Sequence, residues 1–116
     1  MFLLGVFMKL TSMKCVLCEG GVKPFSRKKA LGFLKQVKGW GLVNNGKAIE
    51  KEIVFKDFKI ALGFVNAVGG LAEKERHHPD ILLYRYKHVR VSSCTHAVGG
   101  LSVNDFILAA KIDLIK

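Results

Sequence analysis

Between Asp57 and Arg76 the apolar residues Phe58, Ala61, Leu62, Val65 and Val68 recur at intervals of three and four, the spacing of a helix with one face turned to a core. The pattern predicts an amphipathic helix running towards Arg76. Gly69 and Gly70 interrupt it at a cost of about 1 kcal/mol per glycine relative to alanine, which points to a close packing contact or a local bend there. Upstream, Ser26 reads as an N-cap, and Leu31, Leu34 and Val37 follow at helical spacing before Gly39, predicting a first helix of about three turns. Ser102-Val103-Asn104-Asp105 has the form of a capping box ahead of Phe106, Ile107, Ala109, Ala110 and Ile112, so a third helix closes the chain.

Between these helices the pattern turns β-like. Asn44-Asn45-Gly46 is a tight-turn signal, and residues 40–43 and 47–55 on either side of it should form an antiparallel hairpin. Ala48, Glu50 and Glu52 alternate with Ile49, Lys51 and Ile53, a pattern too mixed to assign the faces of that strand. Pro79 cannot continue a helix and disfavours helical backbone at His78, so the chain straightens there. Residues 81–86 and 89–94 are rich in β-formers around Lys87-His88 and read as a second hairpin. Gly99-Gly100 then breaks the chain before the third helix. The resulting order, α-β-β-α-β-β-α, argues for an α+β fold in two layers: a four-stranded antiparallel sheet with three helices on one face. The other face needs cover or solvent. The pentapeptide Ala67-Val68-Gly69-Gly70-Leu71 recurs at 97–101, once in a helical pattern and once in a loop, and reads as coincidence.

Composition narrows the class. The chain has 116 residues, 50% of them hydrophobic, enough for one core and no second. We take residues 26–116 as a single domain and residues 1–25 as an N-terminal extension. The apolar opening at 1–7 is ended by Met8-Lys9, far short of the roughly 20 apolar residues of a membrane span, and lacks the basic leader and cleavage site of a signal peptide. The chain therefore reads as cytoplasmic, with Met8 and Met13 as alternative starts. Cys15 and Cys18 form a CxxC and Cys94 stands apart. An odd total argues against a disulfide framework, and one CxxC without a second Cys or His pair falls short of a four-ligand zinc site. A formal charge of +10 invites a nucleic-acid reading, but the lysines are spread along the chain and the dense run is limited to Arg27-Lys28-Lys29. A solvated basic surface is the simpler account, and specific nucleic-acid binding is not expected.

Candidate chemistry gathers around histidine. His77, His78 and His96 fall beside predicted helix or strand ends, and imidazole is the side chain suited to both acid and base work near neutrality. An extended backbone at His78 sends the two adjacent rings in different directions. Taken singly, each histidine is more easily explained by position than by catalysis: a last helical turn favours His77 and His78, His96 is a loop residue, and Asp105 is the acidic member of the capping box. Metal ligation by three histidines lacks HxH or HxxxH spacing.

The ordered set changes the balance. Glu73-Lys74-Glu75-Arg76-His77-His78-Pro79-Asp80, Tyr86, Val89-Arg90-Val91, Thr95-His96, Gly100-Leu101-Ser102 and Asp105, followed by Leu108-Ala109 and Ile112-Asp113, resemble the pterin-4a-carbinolamine dehydratases. The resemblance extends back through Phe64-Val65-Asn66, Phe55-Lys56-Asp57-Phe58 and Gly39-Trp40, and Cys15-Val16-Leu17-Cys18 resembles a leader of some bacterial members. It implies a hydro-lyase converting a 4a-hydroxytetrahydropterin to the quinonoid dihydropterin, in tetrahydropterin recycling. His77 and His96 would be the acid candidates, His78 would hold the pterin ring, and Glu73 and Asp105 would support histidines or pair with ring nitrogens. No metal or organic cofactor is implied, and a homodimer or homotetramer is. The alternative is a noncatalytic member of the fold, an assembly factor or a protein or nucleic-acid partner; Rubisco-assembly relatives tend to lose the histidine set. Arg76 departs from the family pattern, which commonly has a small or acidic residue there.

Overall fold

The computed structural model of the protein describes residues 9–16 and 22–115. Strands β1 (Gly41–Val43) and β2 (Ala48–Val54) flank a turn in which Asn44, Asn45 and Gly46 have φ of 53°, 57° and 81°, left-handed backbone that asparagine and glycine tolerate best. Strands β3 (Asp80–Tyr84) and β4 (His88–Ser93) form the second hairpin. Its turn falls earlier than Lys87-His88, because Arg85 and Tyr86 adopt φ of 46° and 56°; strand propensity at Tyr86 gave no sign of this. The strands lie in the order β1-β2-β4-β3, every neighbour antiparallel.

Register resolves the mixed pattern of β2. Ile49, Lys51 and Ile53 pair with Ser93, Val91 and Val89, and directly opposed residues share a face. That face is the covered one, since Val89 and Val91 are buried. Lys51 is accommodated there because its stem runs past Gly39 and its Nζ reaches Asp113 Oδ1 at 2.9 Å, the oxygen that also accepts the Trp40 indole N–H at 3.0 Å. On the opposite face Tyr84 and Arg90 both donate to Glu52, a polar network suited to solvent.

Three helices cover the first face. Helix α1 (Arg27–Leu34) starts where the Ser26 side chain accepts the Lys29 N–H. It is shorter than the expected three turns: the N–H groups of Gln36 and Val37 bond back to Phe33 and Leu34, and Gly39 at φ 80° redirects the chain. Its packed residues are Ala30, Phe33 and Leu34, whereas Leu31 is exposed and Val37 is buried from the turn instead. Helix α2 (Phe58–Glu75) begins at Asp57, whose carboxylate accepts the Ile60 N–H, and ends at Arg76 in left-handed conformation. Helix α3 (Val103–Ile112) is buried at every residue from Asn104 to Ala110, as befits a helix enclosed on all sides. The sheet and α2 contribute Ile49, Val89, Val91, Phe64 and Val68 to the same core. Phe25 and Phe33 set their rings 6.0 and 5.3 Å from Phe106. A short 3-10 turn, Leu10–Ser12, adds Leu10 to the core.

The expected packing contact at Gly69-Gly70 is absent: α2 runs through both, and a Cβ built on either meets nothing within 4 Å. The second Ala-Val-Gly-Gly-Leu lies in a 3-10 turn (His96–Val98) and the left-handed Gly99, so the two copies share no conformation. Gly69→Ala and Gly70→Ala should each raise the free energy of unfolding by about 1 kcal/mol, read from urea denaturation; a loss of stability would mean that the glycines make room for a partner.

Candidate active site

Asp105 occupies the third position of α3, where its Oδ2 accepts the Ser102 N–H at 3.0 Å and closes the capping box. Its carboxylate is also wholly buried. The Ser93 hydroxyl at the end of β4 donates to Oδ1 at 2.6 Å, and the Thr95 hydroxyl donates to Oδ2 at 2.8 Å. The fourth neighbour is His77, whose Nε2 lies 2.7 Å from Oδ1. A carboxylate only accepts, so His77 presents Nε2–H to it and keeps Nδ1 as the nitrogen that can exchange a proton.

The local chain explains how His77 arrives there. Left-handed Arg76 ends α2, the His77 N–H bonds back to Ala72 O, and Pro79 leads into β3. The two adjacent histidines consequently diverge. His77 turns into the molecule, while His78 stays exposed with its Nε2 against Glu73 Oε2. His96 opens the 3-10 turn beyond β4, exposed, with Nε2 3.9 Å from Cys94 Sγ. Burial, helped by the negative charges of Asp105 and Asp80, pushes the Cys94 thiol up, so it stands as a neutral lining group. The three histidines, Arg76, Cys94 and Thr95 line one cleft of about 250 Å³. Glu73 and Asp105 reach it through the histidines they contact. Among the described residues no three of His, Cys, Asp and Glu converge as a metal-binding group; Cys18 lies outside those residues.

Residues 23–115 match the sequence profile of the family described as Pterin 4 alpha carbinolamine dehydratase. The chain belongs to the pterin-4a-carbinolamine dehydratase family. It is similar to a candidate pterin-4-alpha-carbinolamine dehydratase of Halorhodospira halophila, 49% identical over 93% of this chain and 98% of that one. A like-named protein of Nitrosomonas eutropha is 45% identical over 91% and 92%. Among solved structures, a transcriptional coactivator/pterin dehydratase from Brucella melitensis superposes with a TM-score of 0.73 at 31% identity, covering 78% of this chain and 96% of that one. A pterin dehydratase-like RuBisCO assembly factor of the alpha-carboxysome superposes at 0.55 with 18% identity, covering 65% and 86%, and shows the shared fold alone.

One wall of the cleft comes partly from outside the matched residues 23–115. Val16 and Asn104 line it, and Val16 precedes the matched region. The Asn104 amide holds this segment as a strand edge would: its Oδ1 accepts the Val16 N–H at 3.0 Å and its Nδ2 donates to Val16 O. Glu75 accepts the Cys15 N–H at 2.9 Å and pairs with Lys111 at 2.6 Å. The Cys15 thiol, lodged between them, is pushed up to about 12 by burial and then by Glu75. Sequence reading missed Ser93, Glu75 and Asn104; each makes its contacts with residues distant in the chain, and the charged Glu75 at a buried helix position was the available signal.

Burial raises the Glu75 pKa, but the Lys111 and Cys15 contacts outweigh it and leave it below the ordinary 4.5. A carboxyl depressed on folding stabilises the protein above its unfolded pKa and loses that contribution as pH falls through the folded value. Glu75→Gln should therefore be less stable at pH 7, with the difference closing as pH drops below about 4.5; chemical denaturation across pH checks this. Asp105→Asn, which puts an amide donor among four donors, should lose about 3 kcal/mol or more of unfolding free energy by the same measurement.

Proposed function

We propose that the protein dehydrates a 4a-hydroxytetrahydropterin to the quinonoid dihydropterin, acting as a hydro-lyase in tetrahydropterin recycling. Hydroxide is a poor leaving group until protonated. As the C4a–O bond breaks, the lone pair of the adjacent ring nitrogen N5 forms the C4a=N5 bond, one proton is delivered to the departing oxygen and one is given up by the ring, so that water and the quinonoid product balance the substrate. Both transfers suit imidazole. In this reading His77 and His96 exchange the protons, His78 with Glu73 holds the pterin ring, and Asp105 fixes the His77 tautomer.

The observation that carries the reading is that the adjacent His77 and His78 and the distant His96 line one cleft, with a buried carboxylate behind His77. Family membership supports it. A homodimer or homotetramer belongs to the same proposal, supported by the unpaired outer edge of β3 and the exposed Leu82 on that strand. So does a cytoplasmic location; among the described residues no helix is long and apolar enough to cross a membrane.

Purified protein should accelerate the decay of a 4a-hydroxytetrahydropterin above its spontaneous rate, followed by ultraviolet absorbance. His77→Ala and His96→Ala should each lose about 10²-fold or more of that acceleration. Unchanged activity in both variants would sink the mechanism.

A further inference from the structure

Resting on the reading that the cleft holds a pterin, we infer that Arg76 selects substrates whose C6 substituent bears a negative charge, a carboxylate or a phosphate ester. Arg76 follows α2 with φ 55° and ψ 37°, the left-handed position that glycine usually takes and where a side chain is strained. Its backbone N–H bonds to Ala72 O and Glu73 O, a service glycine would perform without that strain. The reason for arginine lies in the side chain.

That side chain is exposed and lines the cleft beside the histidines. Of the carboxylates around the cleft, Glu73 pairs with His78, Glu75 with Lys111 and the Cys15 N–H, and Asp105 with His77 and three further donors. Asp80, whose charge reaches Cys94, forms no ion pair with Arg76. Among the described residues the guanidinium has neither an ion pair nor a hydrogen-bond partner. A free guanidinium makes a forked site for a carboxylate or phosphate. The bicyclic ring to be dehydrated is neutral, so the charge is met by the part of the substrate that extends beyond the ring. The positive surface of the whole chain, +10, draws the same class of ligand by steering.

Equilibrium binding of three 7,8-dihydropterins differing at C6 (methyl, carboxylate and hydroxymethyl phosphate) to the full chain tests this. At low salt at least one anionic compound should bind about tenfold more tightly than the methyl compound. The preference should shrink as salt rises and collapse to near parity in Arg76→Gly and Arg76→Gln. The thermal midpoint of Arg76→Gly should be no lower than that of the native chain, which separates selectivity from folding. Which anionic compound is preferred identifies the charged group. Equal affinities for all three, or a preference that survives in Arg76→Gly, overturn the inference and leave dehydration standing. Failure of all three to bind overturns it together with the pterin reading.

Discussion

A carboxylate sealed from water needs a donor for its lone pairs, or the cost of burying it exceeds what packing returns. Asp105 meets that condition with groups drawn from three places: Ser93 and Thr95 at the end of β4, the backbone of Ser102 at the start of α3, and His77 beyond the end of α2. The chain order of these elements does not bring them together by itself. Their convergence on one carboxylate fixes where α2 ends relative to where α3 begins, and the cleft is the space left between those two ends and β4.

The last turn of α2 distributes its polar residues by simple helical rotation of about 100° per residue. Glu73 faces outward to His78, and Glu75 faces inward to Lys111. The left-handed turn at Arg76 then breaks the rotation, so that His77 enters the interior while His78 does not. A helix continued through Arg76 would keep the two imidazoles about 100° apart on one surface, and neither would reach behind the α3 cap. The same two helices are tied a second time by Glu75 and Lys111, on the side where residues 13–16 are held. The outer wall and the inner carboxylate of the cleft therefore depend on the relative position of the same pair of helices.

Features specified by neighbours in sequence were legible. The capping box at Ser102–Asp105, the Asn44-Asn45-Gly46 turn and the straightening at Pro79 each follow from a few adjacent residues, and the order of elements followed from them. Misreadings arose where local preference met a distant constraint. Helix α1 stops early because the chain tightens towards the Gly39 turn, and the second hairpin turns through Arg85 and Tyr86 against their own φ preference. Gly69-Gly70 looked like a packing site because such contacts are a common use of glycine in helices, yet the space beside both is open. Asp105 could be read as a cap, but its bond to His77 spans 28 residues, and the hold of Asn104 on Val16 spans 88. No periodicity encodes such pairs. It took the ordered histidine motif, and not any single residue, to point to the cleft.

The double employment of Asp105 bears on how other chains of this architecture should be read. On the proposed chemistry, a descendant without the activity could discard His96, which sits in a loop, more easily than His77, which is one of the four groups that meet the buried carboxylate. It could not so easily discard Asp105, because Ser93, Thr95 and the Ser102 amide would still require an acceptor. On that proposal the carboxylate is a record of ancestry and the His96 imidazole a record of use, and a sequence that retains the first without the second is evidence of kinship alone.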